Sequence, residues 1–333
     1  MKKRYLGKSG IESSVIGLGT WVTGGGAAWG ENPDDSESIR AIQASIDAGI
    51  NLIDTAPVYG FGRSEEIVGK AIQGRRDQVV VATKCGLWWD DDRGSFFCEF
   101  DGRNMNRSLR PDTIKIEVER SLKRLGIDEI DLLQTHWQAD EPEKTPIEET
   151  MSCLMDLKTE GKIRAIGVSN ISLDELKEYG LYGTVDANQP RYSMLFRDIE
   201  KDILPYSIEN QISTLAYMPL EQGLLTGKVG MDRTFGKDEW RSNEDWNPWF
   251  KLDNRRKILD LLDSWSELTE KYDCTLAQLT IAWTFSQPGV THVLCGARRV
   301  DQALENAKAG DLDIETADLE RMRNDIIALG EPQ

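Results

Sequence analysis

Histidine is scarce in this 333-residue chain, which contains only His136 and His292. A metal centre built from several histidines is therefore excluded, and we predict no metal site. The five cysteines are scattered, and none belongs to a C-x-x-C pair. The first ten residues also lack the apolar segment of a signal peptide. For such a chain, reduced thiols and a cytoplasmic location are the expectation.

Long apolar runs and an excess of basic charge are also missing. No stretch of 18 apolar residues occurs, so we expect no membrane span and no membrane partner. Acidic residues outnumber basic ones by 57 to 40, and the net charge is −17. Because no basic stripe is present to neutralise phosphates, we predict no nucleic-acid partner. The 39% hydrophobic and 29% charged residues are typical of a folded globular protein.

The glycine-rich signatures of two large nucleotide-binding folds are absent. Neither "GLGTWV" (17–22) nor "GFGRSE" (60–65) completes G-x-G-x-x-G, and the segment 223–228 is too short for a P-loop. No shift in composition divides the chain, and no low-complexity tract interrupts it. We therefore predict a single domain over residues 1–333.

Short apolar segments alternate with amphipathic helical ones along the chain. Helical periodicity is clearest after Pro111, and Gly126 is well placed to end that helix. Two helices are predicted to start with capping boxes, at Thr145–Glu148 and at Ser172–Glu175. The predicted strands are 14–19, 50–55, 78–84, 129–136, 162–170, 184–190, 212–219 and 291–296.

Eight buried strands, each followed by a helix or a long insertion, predict a parallel (β/α)8 TIM barrel of the α/β class. The strand segments are continuous and apolar, as expected for strands covered on both faces. Two long loops stand out, 85–110 after the third strand and 221–254 after the seventh. Since loops of this length often carry function and both are rich in aromatic residues, we predict a functional role for them.

Four polar residues fall at the carboxyl ends of neighbouring predicted strands. Asp54 ends the second strand and Tyr59 lies in the loop beyond it, Lys84 ends the third strand, and His136 ends the fourth. Each one alone has an ordinary structural explanation, such as a helix cap or a solvated side chain. In a barrel, however, these strand ends converge on one mouth. We therefore predict that the four residues form one site.

This combination of groups suits proton transfer to a carbonyl oxygen. A phenol has a pKa of about 10 and is a poor acid at neutral pH. Lys84 is expected to lower the pKa of Tyr59, and Asp54 to keep Lys84 charged and oriented. His136 is then placed to hydrogen-bond a substrate oxygen. Because the group lacks a nucleophile and a metal, a nicotinamide that donates hydride is the natural second reactant.

The segments around these residues resemble the aldo-keto reductase superfamily, nearer its bacterial and potassium-channel-β-like branch than the mammalian aldose reductases. The motifs cover nearly the whole chain in family order: "GLGTW" (17–21), "IDTAPVYGFGRSEEIVGKAI" (53–72), "TKCG" (83–86), "LKRLGIDEIDLLQTHW" (122–137), "GKIRAIGVSN" (161–170), "NQPRYS" (188–193), "AYMPLEQGLLTGK" (216–228) and "GARRVDQALENA" (296–307). The resemblance implies an NADP(H)-dependent oxidoreductase that reduces an aldehyde or ketone to an alcohol, with the reverse oxidation also available. It makes Tyr59 the general acid/base, tuned by Lys84 and Asp54, with His136 orienting the carbonyl.

The resemblance also implies how NADP(H) lies across the barrel mouth. Ser169, Asn170 and Gln189 are expected at the carboxamide, and Tyr217 against the nicotinamide ring. Arg298 is expected at the 2′-phosphate, since guanidinium groups suit phosphate. The residues expected to contact the cofactor are Gly19, Thr20, Trp21, Asp54, Ser169, Asn170, Gln189, Tyr217, Met218, Pro219, Leu220, Gly223, Lys228, Gly296, Arg298, Gln302, Glu305 and Asn306.

Three positions depart from the family pattern. Met218 stands where relatives commonly have serine. Gln302 stands where the mammalian branch has an arginine against the 2′-phosphate, and Gly296 replaces a lysine of that branch. NAD(H) therefore stays open beside NADP(H).

Two alternatives to a carbonyl reductase stay open as well. One is a nucleotide-binding regulatory or redox-sensing subunit with slow turnover, and the other is a metal-dependent sugar isomerase, for which strand-end ligands are in short supply. The expected substrate is a small carbonyl or alcohol, sugar-like or an assorted aldehyde. Its predicted contacts are Trp21, Tyr59, Trp88, His136 and Trp137. The sequence carries no prediction of oligomeric state.

Overall fold

Eight parallel strands close into a barrel in the computed structural model, which describes residues 1–26, 29–30, 34–236 and 239–333. Each strand pairs with its neighbours in chain order, and the last strand pairs with the first. The predicted (β/α)8 TIM barrel is confirmed. In chain order the barrel strands are β1 Ile16–Gly19, β2 Leu52–Asp54, β3 Val80–Cys85, β4 Ile130–Thr135, β5 Ile163–Ser169, β6 Ala187–Gln189, β7 Ser213–Tyr217 and β8 Val290–Gly296.

The barrel strands match the apolar segments of the sequence closely. Six lie inside their predicted segments, while β3 ends one residue later and β8 begins one residue earlier than predicted. Every residue of β2, β3, β4 and β6 is buried. This is the burial expected of strands that have the barrel interior on one face and helices on the other.

An N-terminal hairpin, which the sequence analysis did not predict, covers the amino-terminal end of the barrel. Its strands Lys3–Tyr5 and Glu12–Ser14 pair antiparallel. The backbone N–H of Gly7 donates to Ser213 Oγ at 2.8 Å, at the start of β7. The hairpin adds two apolar side chains to the barrel interior, whose cluster consists of Leu6, Ile11, Leu52, Val80, Ala82, Leu132, Ala165, Ala187, Leu215 and Leu294.

Helices surround the barrel on its outer face. Those that follow the eight strands are Asp35–Asp47, Arg63–Ile72, Pro111–Leu125, Ile147–Thr159, Leu173–Tyr182, Ile203–Asn210, Leu276–Phe285 and Val300–Ala309. Four others are Trp21–Gly24, Leu252–Asp263, Ser266–Lys271 and Thr316–Leu329, and short 3-10 helices lie at Arg76–Gln78, Asp198–Glu200, Glu221–Thr226, Trp240–Ser242 and Pro248–Phe250. Gly126 ends the helix Pro111–Leu125 with a φ of 65°, as predicted.

Of the two predicted capping boxes, one is confirmed and one is wrong. Ser172 Oγ accepts from the Glu175 N–H, and the Glu175 carboxylate accepts from the Ser172 N–H. The helix Ile147–Thr159 instead has Pro146 at its N-cap and no side-chain cap. It starts one residue later than expected, so Glu148 occupies the second helical position and not the third, from which it would reach back.

The long loop after β3 is a small sheet and not an irregular segment. Strands Leu87–Trp88, Ser95–Phe100 and Arg103–Arg107 form a three-stranded antiparallel sheet, which we call the mouth sheet. The long loop after β7 contains three of the 3-10 helices. Two residues of it, 237 and 238, lie outside the described part of the chain.

Within the described residues, no helix is long and apolar enough to cross a membrane. The same part of the chain holds no group of three or more histidine, cysteine or acidic residues arranged to bind a metal ion.

Candidate active site

A buried ion pair lies at the carboxyl ends of β2 and β3. Lys84 Nζ donates to Asp54 Oδ1 at 2.6 Å, and the two side chains are only 1% and 4% exposed. Burying two charges is costly unless the geometry is good and further hydrogen bonds complete both groups. Lys84 Nζ also donates to the Thr55 carbonyl at 3.0 Å. The ammonium is therefore held in one place.

The second oxygen of Asp54 is occupied by two amides from other strands. Gln134 Nε2 donates to Oδ2 at 3.0 Å and Gln189 Nε2 donates at 2.8 Å. Gln189 Nε2 also donates to Gln134 Oε1 at 3.1 Å. The family resemblance implied that Gln189 binds the carboxamide of the cofactor, whereas the structure directs its amide nitrogen to Asp54. Gln134, which was not predicted, faces the site because alternate residues of β4 point inward.

Tyr59 reaches the ion pair from a tight turn after β2. Its hydroxyl lies 3.3 Å from Lys84 Nζ. The turn depends on Gly60, which has a φ of 66° and packs so closely that an added Cβ would lie 2.5 Å from the Gly24 carbonyl oxygen. A side chain at this position would be strained and would have to displace the Gly24 backbone.

The pKa of Tyr59 shifts upward, against the expectation from the sequence. Burial of the phenol raises the pKa above its ordinary value, Lys84 opposes this shift, and the Asp54 charge adds to it. Lys84 thus acts in the predicted direction but is outweighed, because desolvation disfavours the phenolate more. Tyr59 is consequently protonated at neutral pH and available as a proton donor.

His136 stands opposite Tyr59 at the end of β4. Its backbone N–H donates to the Cys85 carbonyl at 2.8 Å, which fixes it to the end of β3. The imidazole lies edge-on to the Tyr59 ring, with centroids 5.9 Å apart and planes at 82°. Burial and the nearby Lys84 charge hold the pKa of His136 well below its usual value. The ring is therefore neutral at neutral pH and keeps both a donor and an acceptor nitrogen.

A chain of hydrogen bonds joins the ends of β5, β6 and β7 to His136. Asn170, with a left-handed φ of 54°, donates from Nδ2 to the His136 carbonyl at 3.0 Å and accepts at Oδ1 from the Tyr217 hydroxyl at 2.8 Å. Ser169 Oγ donates to the Gln189 carbonyl at 2.7 Å. The structure therefore brings the residues assigned to the nicotinamide end together beside the catalytic candidates.

Aromatic residues form a wall on the β1 side of the mouth. Gly19 ends β1 in register with Asp54 and Gly296, and both Thr20 N and Thr20 Oγ1 donate to the Asp54 carbonyl. Trp21 follows, with its ring 6.3 Å from that of Tyr59 and 5.5 Å from that of Trp240. Trp240 comes from the long loop after β7, which was predicted to be functional.

The turn after β7 is strained. Met218, Glu221 and Gln222 have φ values of 60°, 43° and 53°, a left-handed conformation that costs roughly 1–3 kcal/mol for each such residue. Pro219, Leu220 and Gly223 lie in the same turn. The buried Glu221 holds it in place, since its carboxylate accepts from Arg191 at 2.6 Å, Ser193 at 2.6 Å and Asn247 at 3.2 Å.

Gln222, in this strained turn, was not singled out by the sequence analysis. Its side chain is 9% exposed, and among the described residues neither the amide nitrogen nor the amide oxygen has a hydrogen-bond partner. A buried amide left without partners costs free energy, so such groups usually meet a ligand or water. Nothing in the sequence distinguished it from the polar residues around it.

In the segment after β8, several polar side chains expected to contact the cofactor form hydrogen bonds within the protein. Gln302 Oε1 accepts from the backbone N–H of Arg298 at 2.9 Å, and so caps its helix. Asn306 Nδ2 donates to the Gly296 carbonyl at 3.2 Å, and Lys228 Nζ pairs with Glu305 at 2.8 Å. The half-buried Arg298 guanidinium donates to the backbone carbonyl of Trp29.

Besides Trp21, two tryptophans were predicted to contact the substrate, Trp88 and Trp137, and only one of them lies at the mouth. Trp137 faces the mouth, where it packs with Tyr59 in one apolar cluster and lies 5.4 Å from the Phe97 ring. Trp88 lies on the opposite face of the mouth sheet, donates from Nε1 to Asp91 at 2.7 Å, and is covered by the Arg93 guanidinium. The structure therefore does not bring Trp88 to the site, because strand residues alternate between faces.

Sequence comparisons place the chain among known reductases. The family model described as "Aldo/keto reductase family" matches residues 15–326. The chain is 44% identical to the "NADH-specific methylglyoxal reductase" of Escherichia coli (strain K12), over 97% of this chain and 98% of that protein. It is 33% identical to a "Probable voltage-gated potassium channel subunit beta" of Arabidopsis thaliana, over 94% and 92%. The predicted resemblance to this branch is confirmed.

Solved structures agree with the sequence comparisons. The glycerol dehydrogenase AKR11B4 from Gluconobacter oxydans superimposes with a TM-score of 0.86 at 39% identity, over 99% of this chain and 96% of that one. An aldo/keto reductase from Klebsiella pneumoniae, in complex with NADP and acetate, gives a TM-score of 0.73 at 27% identity, over 100% and 97%.

Proposed function

Because the chain belongs to the aldo/keto reductase family, we propose that it reduces an aldehyde or ketone to an alcohol with NADP(H), and that Tyr59 donates the proton. The observation that carries this proposal is the 3.3 Å contact between the Tyr59 hydroxyl and Lys84 Nζ at the barrel mouth. The neutral His136 beside it supplies a hydrogen bond to the same carbonyl oxygen.

Tyr59, Lys84 and Asp54 have separate roles in the proposed proton transfer. When bound, a reduced nicotinamide supplies hydride to the carbonyl carbon. The proton of the Tyr59 hydroxyl passes to the carbonyl oxygen, which leaves a phenolate next to Lys84 Nζ. The ammonium stabilises that phenolate by charge, and Asp54 keeps the ammonium in position. In the reverse direction, the phenolate accepts the proton of an alcohol.

The residues present fit a nicotinamide cofactor. The amide of Gln222, which has no partner among the described residues, lies in one turn with Pro219, Leu220 and Gly223, which are expected to contact the cofactor. It would hydrogen-bond the cofactor there. Ser169, Asn170 and Tyr217 already lie together beside His136, at the end of the mouth expected to take the carboxamide and the ring.

The preference for NADP(H) depends on Arg298. The E. coli relative is NADH-specific by name, whereas the Klebsiella structure contains NADP. The side chain of Gln302 is already engaged at the start of its helix, so we assign Arg298 to the 2′-phosphate. On binding, the Arg298 guanidinium would replace its hydrogen bond to the Trp29 carbonyl with one to the charged phosphate. NAD(H) is the alternative cofactor, and a comparison of the two nucleotides decides between them.

The substrate that we propose is a small carbonyl compound, sugar-like or a simple aldehyde. The aromatic wall of Trp21 and Trp240, together with Trp137, offers flat apolar faces for such a molecule. We propose a cytoplasmic location because all five cysteines are free thiols in the structure. With a net charge of −17, we propose no nucleic-acid partner.

The test is the oxidation of NADPH and of NADH, followed at the nicotinamide absorbance, with a panel of aldehydes, ketones and sugars. Tyr59→Phe should abolish turnover while nucleotide binding is kept, because only the proton donor is removed. Tyr5→Phe is the control, because it makes the same change at a residue that is 62% exposed. It should leave turnover unchanged. Full turnover in Tyr59→Phe would contradict the proposed role.

One relative favours a second candidate function. The similarity to a channel β subunit supports a nucleotide-binding regulatory protein with slow turnover. This candidate leads if the wild-type protein binds NADPH tightly yet oxidises it with no member of the panel.

A further inference from the structure

The mouth sheet directs one face toward the candidate active site. Leu87 and Arg107 are direct partners in its antiparallel pairing, so their side chains project from the same face. Met105, two residues before Arg107, shares that face. Leu87 and Met105 form an apolar cluster against which Tyr59 and Trp137 pack. Arg107 therefore shares this face with the apolar Leu87 and Met105, and with Ser95, its direct partner on the other neighbouring strand.

The Arg107 guanidinium packs against two neighbouring aromatic rings. Its central carbon lies 4.1 Å from the centroid of the Phe97 ring and 4.9 Å from that of Trp137. These contacts orient the planar group and stabilise its charge in part. Trp137 directly follows the predicted catalytic residue His136 in the chain, so a guanidinium packed against Trp137 lies beside the mouth.

The hydrogen-bonding capacity of Arg107 is not used up by the protein. Among the described residues, its buried Nε has no hydrogen-bond partner. Its ion pair with Asp140 is loose, at 3.7 Å from Nη1, and the Asp140 side chain is 68% exposed. A half-buried guanidinium with so weak a partner has donors available for a ligand. Burial lowers the pKa of Arg107, although an arginine stays charged at neutral pH.

We propose that Arg107 binds an oxygen atom at the non-reacting end of the carbonyl substrate, either a carboxylate or a hydroxyl oxygen. This inference rests on the proposed function, since it assigns the substrate class of the same site. If the carbonyl of a substrate lies between Tyr59 and His136, the other end of the substrate extends past Trp137 toward the Arg107 guanidinium. Carbonyl compounds with a distal oxygen are then preferred over hydrocarbon aldehydes of equal length.

The competing explanation is that Arg107 only ties the mouth sheet to the loop that contains Asp140. The acidic neighbours Asp140 and Glu175 also oppose the approach of a carboxylate, and so favour a hydroxyl. The two sources of oxygen are separated by using one substrate of each kind. Asp140→Asn removes the ion pair and leaves Arg107 in place, so it tests the structural explanation directly.

The experiment measures kcat/KM for two pairs of substrates, butanal with 4-oxobutanoate and propanal with glyceraldehyde. Arg107→Met keeps the apolar stem and removes the donors. We expect it to lower kcat/KM about 10- to 100-fold for the oxygenated member of a pair, mainly through KM, because a hydrogen bond to a charged group is lost. Butanal and propanal should change less than about twofold. A loss with 4-oxobutanoate identifies a carboxylate, and a loss with glyceraldehyde a hydroxyl.

Arg107→Lys and Asp140→Asn complete the series. The lysine keeps the charge but not the fork of donors, so an intermediate loss is expected. The asparagine should leave the preference intact or strengthen it. Equal losses on all four substrates in Arg107→Met, or none, overturn the inference while the proposed function stands. If the wild type oxidises NADPH and NADH with none of these four and with no member of the wider panel of aldehydes, ketones and sugars, the proposed function fails. Calorimetric binding of 4-hydroxybutanoate and of glycerol to wild type and Arg107→Met gives a readout independent of turnover, and equal affinities again overturn it.

Discussion

The two sides of the barrel mouth differ in whether their buried polar groups have hydrogen-bond partners within the protein. On the side of β2 to β4, the Asp54 carboxylate receives donors from Lys84, Gln134 and Gln189, all supplied by the protein. On the side of β7, Gln222 sits in a strained turn with its amide unpartnered among the described residues. Groups that carry out chemistry profit from being fixed in advance, whereas groups that bind a ligand must leave donors and acceptors for it. The difference supports the proposal that the first is a preorganised catalytic side and the second a binding side for the cofactor.

Lys84→Met should have the largest effect, because it breaks the preorganised side at its centre. The buried Asp54 loses its counter-charge, which typically costs about 3–5 kcal/mol of stability. The phenolate of Tyr59 loses its stabilising charge, so we expect kcat to fall by about 10³-fold or more. Unfolding by denaturant and NADPH oxidation measure the two effects. The double variant Lys84→Met with Asp54→Asn should recover much of the stability and none of the activity. Recovery of activity in it would contradict the role of Lys84.

A second buried carboxylate, Glu117, lies behind the catalytic side. Its carboxylate accepts from the Gly86 N–H at 2.9 Å, two residues after Lys84. Burial raises the pKa of Glu117 to about 8, the neighbouring Glu65 adds to the shift, and Gly86, Arg124 and Arg120 oppose it. A carboxyl with a raised folded-state pKa stabilises the fold fully only below about pH 4.5, and this contribution is lost as the pH rises toward 8.

Glu117→Gln should therefore remove this pH-dependent loss of stability. Relative to Glu117→Gln, we expect the free energy of unfolding of the wild type to fall by a few kcal/mol between about pH 5 and pH 8, at about 1.4 kcal/mol for each unit of pKa shift. The comparison cancels the opposite contributions of the buried His136 and His292, whose pKa values are lowered. The amide keeps the shape and does not titrate. Denaturant unfolding at several pH values measures the slope. Glu119→Gln on the same helix, with a side chain 58% exposed, is the control and should keep the wild-type slope.

The sequence predicted the catalytic side better than the binding side for physical reasons. Apolar runs located the carboxyl ends of seven of the eight strands to within a residue. Strand ends in a barrel share one mouth, so Asp54, Lys84 and His136 could be placed without a structure. The net pKa shift of Tyr59 could not be predicted, because burial depends on tertiary packing around the ring. The capping box predicted at Thr145–Glu148 does not form, because the helix starts one residue later than predicted and Glu148 is then out of reach of the N-cap.

The mouth sheet shows a second limit of sequence patterns. Its strands are short and of mixed polarity, so nothing in residues 85–110 has the apolar continuity of a barrel strand. Without its pairing, the face on which Trp88 lies was unknown, and Trp88 was assigned to the pocket. Once the pairing is known, alternation places Leu87 and Arg107 toward the mouth and Trp88 away from it.

Gln222→Leu should affect stability and cofactor binding in opposite directions. Removing a buried amide without partners should stabilise the free protein by about 1 kcal/mol, or leave its stability unchanged. The same change should weaken NADPH binding about tenfold, because a hydrogen bond to the cofactor is lost. Thermal unfolding without nucleotide and fluorescence titration with NADPH measure the two quantities. A destabilised free protein with unchanged NADPH affinity would place Gln222 among the structural residues.

The smallest effect is expected at the far end of the binding side. Arg298→Ala should weaken NADPH binding about tenfold and NADH binding less than about twofold, since only NADPH has a 2′-phosphate for the guanidinium to bind. Titration of both nucleotides measures the ratio. Arg299→Ala is the matched control, because Arg299 is already paired with Asp301 at 3.0 Å and its side chain is 54% exposed. If both nucleotides weaken equally in Arg298→Ala, the arginine contributes to the shape of the mouth and not to the choice of cofactor.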